Sequence, residues 1–208
     1  MVFLERVKSG VPGFDNLVDG GFPRGFAVLL SGAPGTGKSI FCLNFLHEGL
    51  KEGERCAYVT YSQSPKDIMD QASQFGWNMK DVEFIELKPE EFEEALSGKK
   101  YDRLVLDSLS SVSVMTRDSL GRFIKKVKDM GCTAIVISEL PMDMKWLSRD
   151  TISEFLCDGV VVLRSVEAAG EVKNLLKVEK MRSTKIDQES HIYKISDKGF
   201  ELKTYKIR

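Results

Sequence analysis

The chain has 208 residues, 42% of them hydrophobic and 29% charged, a size and balance that suit one well-cored globular domain and are short for two. Thirty basic residues against 31 acidic ones leave a formal charge of -1, so no overall field draws the chain to nucleic acid or to an anionic membrane. No apolar run approaches the ~20 residues a membrane-crossing helix needs. The start Met1-Val2-Phe3-Leu4-Glu5-Arg6 has no signal-peptide pattern, and the four cysteines are scattered without metal-ligand spacing, so the expected setting is the cytoplasm.

Along the chain, Phe26-Ala27-Val28-Leu29-Leu30 reads as a buried strand that runs into the glycine-rich segment Gly32-Ala33-Pro34-Gly35-Thr36-Gly37-Lys38-Ser39. A largely buried helix follows from Ser39 to Leu50, and Lys51-Glu52-Gly53-Glu54 ends it. Cys56 to Tyr61 is a second strand, Pro65 opens an amphipathic helix toward Phe75-Gly76, and Glu83 to Leu87 is a short strand. Pro89 to Leu96 reads as a helix with an acidic, solvated face, and Leu104-Val105-Leu106 as a central strand ending at Asp107. Phe123, Val127 and Met130 recur at helical spacing and face a core. Ala134 to Ile137 and Val160 to Leu163 are further buried strands.

Past Arg164 the pattern changes. Glu167-Ala168-Ala169-Gly170-Glu171 is a turn between strands, and the tail from His191 to Ile207 alternates around a second turn at Asp197-Lys198-Gly199. The chain is therefore expected to be α/β: a twisted, mainly parallel sheet flanked by helices, finishing in antiparallel β-hairpins, as one domain over residues 1–208.

The glycine-rich segment carries the chemistry. Glycines at 32, 35 and 37 let the backbone take up positive φ and turn its amides inward, and the helix that follows adds the positive end of its dipole. Such a cradle suits a nucleotide's phosphates: Gly32 through Ser39, with Ile40 in the first helical turn, are the candidate binding residues. Lys38 reaches the β- and γ-phosphates, and the Ser39 hydroxyl can ligate Mg²⁺. Asp107, at the end of a strand expected beside the loop strand, is the second magnesium-holding group, acting through water; it also suits a helix N-cap.

Several stretches together resemble the KaiC/RadA branch of the RecA-superfamily ATPases, in its single-domain archaeal-type form. These are Ser9-Gly10-Val11-Pro12-Gly13-Phe14-Asp15, Gly20-Gly21-Phe22-Pro23-Arg24-Gly25, the phosphate loop, and Tyr58-Val59-Thr60-Tyr61 with Pro65 and Asp67. The likeness continues through Leu106-Asp107-Ser108, Ile137-Ser138-Glu139, Phe155-Leu156-Cys157-Asp158-Gly159-Val160 and Lys180-Met181-Arg182. The resemblance implies ATP and Mg²⁺ held between neighbouring subunits of a homo-oligomer, such as a hexameric ring or a filament. It also implies that Lys180 and Arg182, on a late strand, reach the γ-phosphate bound by the adjacent protomer.

One departure bears on catalysis. Where the KaiC-like branch carries two glutamates that orient and deprotonate water, this chain has Ser62 and Gln63. Gln63 can hold a water, but neither residue can act as a base near neutral pH. Glu139 is the other carboxylate the pattern brings toward the γ-phosphate, and the resemblance gives that position a sensing role.

ATP binding is expected to be intact and hydrolysis weak or absent, with ATP occupancy controlling assembly with itself or a protein partner. A slow ring-forming ATPase and a DNA-recombination or repair accessory factor are the alternatives. Nucleic acid is the less favoured partner, because the basic cluster Arg122, Lys125, Lys126 and Lys128 has the look of a solvated helix face and no aromatic platform accompanies it. Trp77 reads as a partly buried tryptophan, with the adenine or a subunit contact as the other options. His47 and His191 are assigned no role.

Overall fold

The computed structural model describes residues 4–88, 91–108, 117–141, 146–168 and 170–206. Strands β1 (Arg6–Val7) and β2 (Phe22–Pro23) form a small antiparallel pair that precedes β3 (Ala27–Gly32). Helix α1 (Lys38–Lys51), β4 (Cys56–Thr60), α2 (Pro65–Ser73), β5 (Val82–Glu86), α3 (Phe92–Ala95), β6 (Arg103–Asp107), α4 (Arg117–Asp129) and β7 (Thr133–Glu139) follow. The chain continues through α5 (Ser153–Leu156), β8 (Gly159–Ala168), β9 (Glu171–Met181), β10 (Ser190–Ser196) and β11 (Gly199–Lys206).

Nine strands make one sheet in the order β11-β10-β9-β8-β3-β7-β6-β4-β5 among the described residues. The six from β5 to β8 are mutually parallel, and β9, β10 and β11 add in antiparallel fashion. This is the expected parallel sheet finishing in hairpins. The near-continuous apolar runs are explained by burial of both faces. Val28, Leu30, Tyr58, Val105 and Ile135 pack toward one core with Phe41 and Phe45 of α1 and Ile68 of α2. Their neighbours Ala27, Leu29, Val59, Leu104 and Val136 face a second core with Phe123 and Val127 of α4.

Two expectations are corrected. The strand bearing Asp107 is not the immediate neighbour of the loop strand, because β7 pairs with β3 on one side and with β6 on the other. The connection through α1 carries the chain past two strand positions, which β6 and β7 later fill. The acidic helix is short, covering Phe92–Ala95, and Pro89 and Glu90 at its expected start lie outside the described residues, as does Ile207 in the tail. Helix α2 begins as its sequence requires: Ser64 caps it by accepting from the Asp67 amide, with Pro65 at its first position.

Arg103 ties the α1 side of the sheet together. Its guanidinium, 1% exposed, pairs with Glu54, donates to the carbonyls of Lys8 and Phe45 at 2.7 Å each, and lies 4.7 Å over the Phe45 ring. Only glycine fits at position 49, since a Cβ there would meet Arg103 Cδ at 2.6 Å. Arg103→Ala, which leaves two carbonyls without this donor and Glu54 with Arg24 as its ion-pair partner at 3.1 Å, is expected to lower the unfolding free energy by about 1–3 kcal/mol in urea titrations. A loss below about 1 kcal/mol would contradict this assignment.

Candidate nucleotide-binding site

The loop leaves β3 at the carboxyl end of the parallel strands and turns directly into α1. Its shape is fixed by small residues. Gly35 and Gly37 sit at φ 80° and 87°, and Gly37 is the N-cap of α1. A Cβ on Gly32 would strike the Thr36 hydroxyl at 2.7 Å and the Leu163 carbonyl at 2.8 Å. Both the amide and the hydroxyl of Thr36 donate to the Ala33 carbonyl, at 3.3 and 2.8 Å, which closes the turn. The first turn of the 14-residue helix α1 has no acidic side chain to offset its positive end, so the loop and helix together form an anion-accepting concavity.

Three charged groups converge on it. Lys38 is 7% exposed and its ammonium donates to the carbonyls of Gly32 and Ala33 at 2.9 and 3.0 Å. Burial lowers its pKa, and the charges of Glu139 and Asp107 act against that shift. Asp107 is 8% exposed at the end of β6; its carboxylate accepts a short hydrogen bond from the fully buried Tyr58 hydroxyl and another from Ser39. Burial raises its pKa, while the Tyr58 bond and the Lys38 charge pull it down. Glu139 ends β7, in register with Gly32 of β3.

The loop, Asp107 and Glu139 border a cavity of about 340 Å³, which Ser62, Gln63, Gln71 and Ile195 also line. Gln63 is held through its backbone, whose amide and carbonyl both bond the Thr60 hydroxyl at 3.0 Å. Its side-chain Oε1 is buried without a hydrogen-bond partner.

Lys180 and Arg182 lie elsewhere. Lys180 pairs with Val160 of β8, and Arg182 follows the last residue of β9, so both sit toward the end of the sheet away from the loop. The Lys180 ammonium donates to the carbonyls of Glu154 and Cys157 at 2.8 and 2.6 Å. Arg182 donates to Asp158 at 2.9 Å and to the Phe155 carbonyl at 3.2 Å, so the two cations share one surface although Arg182 is outside the strand. Phe155 beside them is 69% exposed.

Trp77 does not line the cavity; it stacks on His47 at 5.1 Å and lies tilted against Phe75 at 4.8 Å. On α4, Lys125 pairs with Asp129 at 2.5 Å, and Lys128 with Asp158 at 2.7 Å. His191 lies 3.4 Å from Asp187. Among the described residues no cluster of histidine, cysteine and acidic side chains could hold a metal on its own, and no helix is long and apolar enough to cross a membrane. Sequence reading missed Tyr58, Gln71 and Ile195 as site residues. A phenol inside a fully buried strand, two residues before the strand's end, was the available signal for Tyr58.

A glycine turn between a buried parallel strand and a helix, facing a buried lysine and a strand-end aspartate, defines a P-loop protein of the RecA-like class. Residues 7–88 and 83–206 match the family described as "ATPase: KaiC", and the chain belongs to that KaiC-like family. It is 30% identical to a UPF0273 protein of Aeropyrum pernix, across 98% of this chain and 96% of that one. It is also 30% identical to the circadian clock protein KaiC3 of Synechocystis across 87% of this chain, but spans only 42% of KaiC3's length. The crystal structure of a KaiC-like protein from Pyrococcus horikoshii superposes with a TM-score of 0.87 at 32% identity, covering 97% of this chain and 100% of the other.

The raised pKa of Asp107 has a consequence for stability. The folded chain holds that proton more tightly than the unfolded chain does, so the ionisation penalty is absent below the ordinary value of 3.8 and grows as pH rises toward the folded value. Asp107→Asn, whose carbonyl can still accept from Tyr58, is therefore expected to be more resistant to urea than the parent at pH 7 in metal-free buffer. The difference should shrink as pH falls toward 3.8. A variant less stable than the parent at pH 7 would contradict the dominance of burial.

Proposed function

We propose that the chain binds ATP with Mg²⁺ on the loop Gly32–Ser39, hydrolyses it weakly or not at all, and uses ATP occupancy to control assembly with copies of itself or a partner. The observation that carries this reading is the lining of the cavity beside the phosphate loop: it includes Ser62 and Gln63, at the positions where the family resemblance expects two glutamates. An amide and a hydroxyl cannot take a proton from water near neutral pH, and lack of a positioned base costs about 10²–10⁴ in rate.

The remaining groups suit binding. Loop amides and the α1 terminus would receive the phosphate oxygens, and Lys38 would exchange its bonds to loop carbonyls for the β- and γ-phosphates. The hydroxyl of Ser39 and the carboxylate of Asp107 are hard oxygen donors that fit magnesium. Tyr58 and Ser39 already bond the Asp107 carboxylate, whose remaining lone pairs would hold the ion through water. When bound, the ion would neutralise charge on the β- and γ-phosphates. Gln63, with its unpartnered Oε1, would orient a water beside the γ-phosphate.

The position of Lys180 and Arg182 supports assembly. Cations at the far end of the sheet from their own loop can meet a γ-phosphate only in another copy, in the manner of an arginine finger. Nucleotide that binds the assembled state better than the free chain then stabilises assembly by mass action. A slow ATPase is the second reading, favoured by Glu139, which borders the same cavity and could accept a proton.

Light scattering should show a larger particle with ATP–Mg²⁺ than without nucleotide, and Lys180→Ala with Arg182→Ala should abolish that increase while each chain still binds ATP. Single-turnover phosphate release on the same samples is expected below about 10⁻² per second. Release at about one per second or faster would favour the ATPase reading, and a particle size indifferent to ATP would contradict the assembly role.

A further inference from the structure

The C-terminal hairpin is not an appendage to the sheet; it touches the phosphate loop. The buried Tyr193 of β10 donates its hydroxyl to the Thr36 carbonyl at 2.6 Å, across 157 positions of sequence. The phenol ring is stacked on Phe200 of β11 with centroids 4.2 Å apart, and Phe200 in turn meets Phe41 of α1 edge-on at 5.3 Å. The Phe200 amide donates to Asn44 of α1 at 3.0 Å. Ile195 fills the space beside Gly37, where a Cβ would meet Ile195 Cδ1 at 2.6 Å. Tyr193 is therefore fixed by β11 and α1 before it reaches the loop, and burial pushes its pKa up, which keeps the phenol a donor.

What that hydrogen bond does follows from peptide geometry. The Thr36–Gly37 peptide is trans, so its carbonyl and its N–H lie in one plane and point in opposite directions. Fixing the Thr36 carbonyl toward Tyr193 therefore fixes the Gly37 N–H on the opposite side of the same peptide, and Gly37 lines the cavity with Lys38. Without the bond, the peptide loses a restraint on the side where it adjoins Gly37, which occupies the left-handed region at low cost.

We propose that Tyr193 is a positioning residue of the phosphate site: it aims the Gly37 amide at the phosphate that a nucleoside diphosphate and a nucleoside triphosphate share. The C-terminal hairpin thereby belongs to the binding site. This rests on the reading of the loop as a nucleotide site. Because the shared phosphate is the target, loss of the hydroxyl weakens ADP and ATP by the same factor, whereas a γ-phosphate contact would affect ATP alone.

Tyr193→Phe keeps the ring and its stack on Phe200 and removes only the donor. Calorimetric titrations of parent and variant with ADP and with ATP should show both affinities reduced roughly five- to tenfold, the size of one hydrogen bond. Thermal unfolding of the ligand-free variant should stay close to the parent's, and the ³¹P resonance of the β-phosphate in bound ADP should move, which a purely structural role would not produce. Unchanged affinities with an unmoved ³¹P resonance overturn the proposal while leaving the nucleotide site standing. Should the variant fail to fold, the Gly37 amide resonance of the parent decides: a large shift on adding ADP supports the proposal, and an unmoved one overturns it. A parent chain that binds neither nucleotide overturns the site and this inference together.

Discussion

The structure depends on one constraint: a parallel sheet gathers the carboxyl ends of its strands at one edge, and charged side chains placed there lose water without leaving the cavity. Lys38, Asp107 and Glu139 come from the first turn of α1 and the ends of β6 and β7, elements distant in sequence, yet the ionisation of Lys38 and of Asp107 responds to the charges of the other two. Lys38 is pulled toward neutrality by burial and toward charge by two carboxylates. Asp107 is pushed toward protonation by burial and held back by a phenol and an ammonium. Such opposed terms are the cost of keeping a preorganised charge arrangement in low dielectric, and they cluster where a ligand of high charge is to be received.

Two phenols hold the two halves of this arrangement. Tyr58 fixes the Asp107 carboxylate and Tyr193 fixes the loop carbonyl at Thr36. Both are buried aromatic side chains whose rings are locked by packing, Tyr58 against Phe84 and Tyr193 against Phe200. A rigid ring with one polar tip holds a functional group at small entropic cost, because few rotatable bonds must be frozen. The edge bearing the loop and the edge bearing Lys180 and Arg182 then give the molecule two unlike ends. In the proposed assembly, contact between these unlike ends would be head-to-tail, closing into a ring or running on as a filament according to the rotation at each step.

The phosphate loop was legible from sequence because its physics is local: glycines, a lysine and a serine at fixed spacing between an apolar run and a helical pattern. The tail hairpin was legible for the same reason, since Asp197-Lys198-Gly199 is a turn by its residue types and Gly199 does adopt φ 96°. Strand order was not. The sequence signals that β6 is buried, but nothing local distinguishes the neighbour of β3 from a strand one place further, and β7 took that position. The contacts of Tyr58 and Tyr193 span 49 and 157 positions, so their hydroxyl partners became visible only once the sheet was assembled. Lys180 and Arg182 were read through a family resemblance; the sheet's polarity adds that their own loop is out of reach.

The central claim is that this cradle of amides, with one lysine and one aspartate, holds a nucleotide's phosphates. Equilibrium titration of the folded chain with ATP in the presence and absence of Mg²⁺ tests it most directly. Saturable binding of one ATP per chain, strengthened by Mg²⁺ and lost on Lys38→Ala, is the predicted result. No binding by the folded parent chain at millimolar ATP, or equal binding by Lys38→Ala, would contradict it.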